Sequence, residues 1–365
     1  MHRSLTGAPA AAVHHGGDLR GAAQRFGIPR ERWLDLSTGI NPCPYPVTMP
    51  PPDVWQRLPD DDDGLAEIAA RHFAAESALP LAGSQAAIRT LPFLLPPGRV
   101  AIADLTYGEY APAFARAGHA VRRFHYRSAP LPPPDAAAPL PFPLDGEDPA
   151  SLPPDIDYLV VVNPNNPTTH RIPVATLLHW RTALAARGGL LIVDEAFIDA
   201  TPEASVASAC GAPGLLVLRS IGKFFGLAGI RAGFALGPRA LLEHLRLELG
   251  AWSVGGPARH AVRQALEDAA WHAATRARLS VDSRALRQQL ARHGLAARVA
   301  PLFAWAPHPD AAGWHARLAG QGIWTRLFDA PATSAGGLPS LRFGLPADGA
   351  AAARLDAALR AAART

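Results

Sequence analysis

The chain has 365 residues, of which 48% are hydrophobic and 18% charged, a balance that builds a packed core and excludes a disordered protein. The net charge is only +4, and its arginines are spread without a basic run or an aromatic-basic ribbon, which argues against nucleic acid as a partner. No stretch is apolar enough for a bilayer span, and Cys43 and Cys210 are too few for a disulfide framework or a zinc cluster, so a reducing, cytoplasmic setting is expected.

Residues 1 to about 35 read as a short polar arm with a helix, and Met1 to Val13, broken by Pro9, does not read as a signal peptide. From Leu36 to Pro59 the chain is rich in proline, which predicts an extended segment crossing between domains rather than helix or central strand. Asp60 to Asp63 then precede Gly64 to Phe73, an amphipathic helix with acids at its positive end. Short apolar strands are expected at Leu79–Leu81, Arg99–Ile102, Ala120–Phe124, Tyr158–Val162, Leu190–Val193, Leu215–Arg219 and Gly233–Leu236. Helical patterns fall between them at Gln85–Leu94, Tyr110–Ala117 and Val174–Ala186, the alternation of an α/β domain with a largely parallel sheet. Pro130 to Pro154 reads as a long superficial loop. A helix-rich stretch follows from Arg239 to His293, broken near Ser253–Pro257, and Arg298 to Thr365 reads as a smaller α+β domain. The expected division is an arm at 1–35 that joins the small domain, a large domain at 36–245 and a small C-terminal domain with a linking helix at 246–365.

One residue stands out chemically. Lys223 is the single lysine, against 34 arginines. An arginine carries charge but does not readily lose its proton and attack a carbonyl, whereas a lysine amine forms an imine. Lysine scarcity is partly compositional, so the surrounding segments must decide. In open α/β sheets chemistry gathers at the carboxyl ends of the strands. Gly83-Ser84-Gln85, Asn163-Pro164-Asn165-Asn166-Pro167-Thr168, Asp194-Glu195-Ala196-Phe197 and Ser220 to Lys223 each follow a predicted strand. Any one of them alone is an ordinary turn or cap. Together they match the needs of pyridoxal phosphate: a lysine for the aldehyde, a carboxylate for the pyridine nitrogen, an amide for the ring oxygen, and N–H groups, hydroxyls and an arginine for the phosphate. No spacing of His, Cys and acids argues for a metal site.

With these motifs and Ser220-Ile221-Gly222-Lys223-Phe224-Phe225-Gly226-Leu227-Ala228-Gly229-Ile230-Arg231, the chain resembles the fold-type I pyridoxal phosphate enzymes of the aspartate aminotransferase superfamily, from His14 to the C-terminus. The resemblance implies an α/β fold with a mainly parallel seven-stranded sheet and a smaller α+β domain, and a homodimer. It also implies that Lys223 bonds the cofactor aldehyde and shuttles protons, that Asp194 pairs with the pyridine nitrogen, that Asn166 donates to the ring oxygen, and that Tyr107 stacks on the ring. Ser84, Gln85, Ser220 and Arg231 would surround the cofactor phosphate. Arg342 would clamp the substrate carboxylate, and Asn41 would lie near the substrate. Two departures matter: Phe197 stands where relatives often carry a tyrosine, and Leu58-Pro59 stands where many carry Tyr-Pro reaching the partner's cofactor phosphate.

His15-Gly16-Gly17-Asp18, Leu34-Asp35-Leu36-Ser37, Gly39-Ile40-Asn41-Pro42 and Asp194 to Asp199 are similar to the threonine-phosphate decarboxylases of cobalamin biosynthesis, kin of the histidinol-phosphate aminotransferases. Membership would imply decarboxylation of L-threonine O-3-phosphate to (R)-1-amino-2-propanol O-2-phosphate. The alternative is a histidinol-phosphate or other amino-acid aminotransferase, because both reactions begin on the same catalytic core. A phosphorylated substrate wants further positive charge, for which Arg326 is a candidate, with His15 and Arg20 on the arm as weaker ones. A non-enzymatic cofactor-binding regulator would need an added DNA-binding domain, for which there is no room before residue 35.

Overall fold

The computed structural model describes residues 15–124, 126, 152–330 and 337–364. In chain order its regular elements begin with α1 (Leu19–Phe26), β1 (Leu34–Asp35), α2 (Pro52–Gln56), α3 (Leu65–His72), β2 (Ala78–Leu81), α4 (Ser84–Leu94), β3 (Arg99–Ala103), α5 (Tyr110–Arg116) and β4 (Ala120–Phe124). There follow β5 (Tyr158–Val162), α6 (Val174–Ala185), β6 (Leu190–Asp194), β7 (Leu215–Ser220), β8 (Gly233–Leu236), α7 (Arg239–Leu249), α8 (Gly256–Glu267) and α9 (Ala269–Arg292). The chain ends through β9 (Arg298–Ala300), β10 (Phe303–Pro307), α10 (Ala311–Ala319), β11 (Ile323–Trp324), β12 (Arg326–Phe328), β13 (Ser340–Gly344) and α11 (Gly349–Ala362).

Strands apolar at every position need cover on both faces. β5 and β6 are buried along their whole length, and β7 along all but its last residue. Alternate residues feed two cores. Leu159, Val161, Leu191, Val193, Leu215 and Val217 join one, and Tyr158, Val160, Leu190, Ile192, Leu216 and Leu218 join the other. The sheet has seven strands in the order β2-β8-β7-β6-β5-β3-β4. All neighbours are parallel except β8, which runs antiparallel to both β7 and β2. The seven expected strands and the mainly parallel sheet are therefore present.

A second, four-stranded antiparallel sheet has the order β12-β13-β10-β9. The arm attaches to this end of the molecule. β1 pairs in parallel with β11, and α1 packs on it through Phe26, Trp33 and Trp324. The chain then crosses to the large sheet: the Leu36 N–H donates to Trp324, and five residues later the Asn41 N–H donates to the Lys223 carbonyl.

Two expectations are corrected. The proline-rich segment contains a short helix, α2, because Pro52 stands at its first turn, where a missing N–H costs nothing. The long helical stretch breaks twice: at 250–255 and again at Asp268, whose carboxylate caps the N–H of Trp271 and so starts a new helix. The expected loop from Pro130 to Pro154 lies outside the described residues except at its last three positions.

One buried ion cluster joins the ends of β6 and β7. Arg219 is 2% exposed and reaches Glu195 at 2.7 Å and Asp199 at 2.5 Å, with its guanidinium carbon 4.3 Å from the centre of the Phe73 ring. Glu195 also accepts from the Ser205 hydroxyl and the Val206 N–H. Burial pushes the Glu195 carboxyl up, and Arg219, Ser205 and Val206 oppose that push. Removing the arginine alone strands two buried carboxylates. Arg219→Ala should therefore lose about 3–5 kcal/mol in urea unfolding, whereas Arg246→Ala, on an exposed pair with Glu243, should leave the urea midpoint indistinguishable from wild type.

Candidate active site

The carboxyl ends of β5, β6 and β7 and the first turn of α4 meet at one cavity. Gly83, Ser84, Gln85, Tyr107, Asn166, Asp194, Phe197, Ser220, Lys223 and Arg231 all line it. Eight of the twelve residues expected in the site thus converge here from five separate chain segments.

Lys223 follows the last residue of β7 by three positions. Burial pulls its ammonium down to about 8, Arg342 and Arg231 push the same way, and Asp194 opposes them. An amine in that range is substantially neutral near pH 8, as a nucleophile for an aldehyde must be. Asp194 closes β6 and is 3% exposed. Its Oδ2 accepts the Tyr110 hydroxyl at 2.8 Å and its Oδ1 the Ala196 N–H at 3.0 Å. Burial raises its carboxyl pKa; Tyr110, Ala196 and Lys223 each pull against that.

Arg342 fixes the orientation of Asn166. The guanidinium only donates, so it takes the Asn166 Oδ1 and leaves the amide N–H groups for another acceptor. Tyr107 donates to Gln85 Oε1 at 3.0 Å, and burial raises its phenol to about 12, so it stays neutral. Phe197 packs edge-on against Phe303 at 5.0 Å and offers no donor, which leaves Asn166 to serve a ring oxygen.

The same lining also supplies a set of donors: the hydroxyls of Ser84 and Ser220, the start of α4 and the Arg231 guanidinium. Gly83 is required here. Its φ is +75°, and a Cβ on it would lie 2.9 Å from an Arg231 nitrogen. This cradle for an anion, sharing one cavity with a buried acid and a lysine, fits pyridoxal phosphate in the chemistry of its donors.

An adjoining cavity of ≈ 420 Å³ opens outward and shares Tyr107, Asn166, Phe197 and Lys223. His15, Arg326 and Arg342 line it. Arg326 and Arg342 are direct cross-strand partners on β12 and β13. Burial lowers the Arg342 guanidinium to about 10, helped by Arg326 and opposed by Asp35. Two like charges side by side cost energy unless an anion is placed between them. Asn41 lines neither cavity. Its Nδ2 donates to the Phe224 carbonyl at 2.8 Å, and its Oδ1 accepts from Arg278 at 2.7 Å and the Cys43 N–H at 3.0 Å, so its side chain clasps the lysine loop from behind. Leu58 is 68% exposed and belongs to a different surface depression, with Arg57, Pro59 and Arg259.

Tyr110 and Glu109 are the site neighbours that sequence reasoning passed over. A tyrosine facing the sheet at the start of a helix needs a partner for its hydroxyl, and that was the available signal.

The fold and this lining define an enzyme scaffold built around a lysine and a buried acid, and the chain belongs to the aminotransferase class I and II family, which matches residues 62–353. Within that family it is 48% identical over 348 residues to the threonine-phosphate decarboxylase of Pseudomonas aeruginosa, covering 95% of this chain and 97% of that one. It is 39% identical over 358 residues to the threonine-phosphate decarboxylase of a Sinorhizobium species, covering 96% and 98%. The fold is similar to that of the histidinol-phosphate aminotransferase of Sinorhizobium meliloti in complex with pyridoxal-5'-phosphate, with a TM-score of 0.73 at 18% identity, over 97% and 96% of the two chains.

Two outcomes follow from these charges. Capture of pyridoxal phosphate by the apoprotein should speed up as pH rises through about 8 and then level off, because the neutral amine forms as Lys223 loses its proton; stopped-flow absorbance reads this, and Lys223→Arg should abolish it. Tyr110→Phe removes a hydrogen bond to a buried charge, worth about 1.5–3 kcal/mol. It should weaken cofactor binding about 10-fold or more in equilibrium dialysis.

Proposed function

We propose that the protein decarboxylates L-threonine O-3-phosphate to (R)-1-amino-2-propanol O-2-phosphate and carbon dioxide, using pyridoxal 5'-phosphate, and so serves cobalamin biosynthesis. The observation that carries this reading is the adjacent pair Arg326 and Arg342 facing a cavity that opens onto Lys223. A substrate with two anionic groups, a carboxylate and a phosphate, answers two cations. The two near-full-length relatives carry the name of that activity.

Bound pyridoxal 5'-phosphate supplies an aldehyde for the substrate amine and a ring that accepts the electron pair left by the departing carboxylate. Ser84, Gln85, Ser220 and Arg231 hold its phosphate. Asp194 keeps a proton on the pyridine nitrogen, and ionisation of this carboxylate is favoured once that positive charge lies against it. Asn166 turns its amide N–H groups toward the ring oxygen, and Tyr107 covers the ring face. Arg342 and Arg326 bind and orient the substrate anions, with His15 at the cavity rim; Asn41 acts from behind by holding the lysine loop. Breaking the bond from Cα to the carboxylate releases carbon dioxide, and the Lys223 ammonium returns a proton to Cα.

On this reading residues 36–245 form the large domain, 246–365 the small one, and the arm at 1–35 joins the latter. The enzyme acts in the cytoplasm as a homodimer. Exposed Met49, Trp55, Leu58 and Trp252 provide apolar surface for a second copy, and Trp252 is tied to the 60–63 loop through its N–H to Asp61.

Incubation of the loaded enzyme with L-threonine O-3-phosphate should release carbon dioxide and the amine phosphate without a keto acid. Silence there, with glutamate formed from histidinol phosphate and 2-oxoglutarate, would instead assign an aminotransferase. Arg326→Met should raise KM for the phosphorylated substrate by about 10–100-fold, the loss of one charge-assisted contact, with a smaller effect on kcat.

A further inference from the structure

Glu109 lines neither cavity, yet it stands between them. It lies one residue before α5, is 8% exposed, and follows Tyr107 and Gly108 of the cavity walls. Its two oxygens receive three donors from two directions. Oε1 takes His15 Nε2 at 2.8 Å; Oε2 takes Gln85 Nε2 at 2.8 Å and Arg89 Nη2 at 3.2 Å. Burial raises its carboxyl pKa, but the bonds from His15, Gln85 and Arg89 outweigh that and hold it below the usual range.

An ionised carboxylate only accepts. Gln85 must therefore turn its amide nitrogen to Glu109 and its oxygen the other way, toward Tyr107. With that oxygen presented, the Tyr107 hydroxyl must donate to it, at 3.0 Å. The polarity of the whole chain, from Glu109 through Gln85 to Tyr107, follows from one negative charge. The same charge holds the arm. His15 is half-exposed, its ring centre lies 6.0 Å from that of Tyr107, and its carbonyl accepts from Arg326 at 3.4 Å. The arm is thus pinned between Glu109 on the large-sheet side and Arg326 on β12, at the edge of the outer cavity.

We propose that Glu109 is a positioning residue that latches the N-terminal arm across the outer cavity through His15 and, through Gln85, fixes the direction of the Tyr107 hydroxyl at the inner one. The His15 end of the arm, ahead of the α1 contacts that hold the rest, and the Tyr107 hydroxyl then share a single carboxylate. Glutamine at this position keeps the size but loses the charge, and its own amide can flip, so neither Gln85 nor His15 is held to one orientation. The latch rests on the outer cavity being the substrate's, but its effect on the arm is measurable with no substrate present.

The test uses full-length loaded enzyme as wild type, Glu109→Gln, His15→Ala and the double variant. Backbone hydrogen–deuterium exchange is read across residues 15–27 without substrate, beside KM and kcat for L-threonine O-3-phosphate. In Glu109→Gln the arm amides should exchange at least 10-fold faster while those of β5, β6 and β7 keep their protection, and KM should rise at least 5-fold with kcat within 3-fold. In the His15→Ala background, adding Glu109→Gln should accelerate arm exchange by less than 2-fold, because the two residues share one interaction. Unchanged arm exchange in Glu109→Gln, or full additivity of the two substitutions, overturns the latch. Uniform loss of protection in the strands would report unfolding rather than the arm, and Glu109→Asp, which keeps the charge but cannot span both partners, then decides: strand protection restored with arm protection still lost supports the latch, and both restored together, or neither, overturns it. A wild type inactive on this substrate would refute the proposed reaction, and the exchange result would still decide the latch.

Discussion

A buried carboxylate in the wall of the inner cavity sets the terms for everything around it. Asp194 ends a fully buried strand, and its ionised form is unfavourable there unless donors surround it. Tyr110 from α5 and the Ala196 N–H supply two, and Lys223 adds a nearby charge. These partners come from different strand exits and one helix start, so the acid is stable only when the sheet is fully assembled. The same acid gives a positively charged heterocycle its place. Stability of the fold and affinity for the cofactor are two readings of one electrostatic requirement.

Cations show the complementary pattern. Arg219 is surrounded by acids and serves the scaffold. Arg342 instead has an amide oxygen and a carbonyl as its near neighbours, with Arg326 directly across the strand pair. Each guanidinium donates only, and the polar atoms offered to Arg342 are neutral. The first arginine is matched by carboxylates in direct contact; the side-chain and carbonyl oxygens bonded to Arg342 are neutral, and Asp35 acts on it only through its field. Burial alone does not separate these cases, since both Arg219 and Arg342 are buried. The identity of their partners does.

Much of this was legible in the sequence. Short runs with turn residues at their ends located every strand of the large sheet, most clearly β5, β6 and β7, because a doubly covered strand has no polar face to disguise it. Lys223, Asp194, Asn166 and Ser220 stood out because each sits just past such a run. The antiparallel direction of β8 was hidden, since strand direction leaves no mark on composition. Helix α2 was hidden by its prolines, which weigh against helix everywhere but in a first turn. The contribution of Asn41 was visible as proximity, but the direction of its side chain, toward the lysine loop rather than the cavity, depends on the fold. Glu109 and Arg219 were silent because a charged residue beside a motif looks the same whether it faces water or a buried partner.

The clasp at Asn41 has a mechanical consequence. Between Leu36, bonded to Trp324 beside the four-stranded sheet, and Asn41, bonded to the lysine loop of the seven-stranded one, only Ser37 to Ile40 intervene. Within that span the Gly39 backbone passes so near the Phe197 ring that a Cβ would come within 2.9 Å of it. Four residues anchored at both ends permit swivelling but little translation. Any swing of the arginine-bearing strands toward Lys223 must therefore turn about a pivot beside Phe197, at the cavity wall itself. The outer cavity then lies near the axis of the motion, where small rotations reorient its lining without drawing it away from the amine.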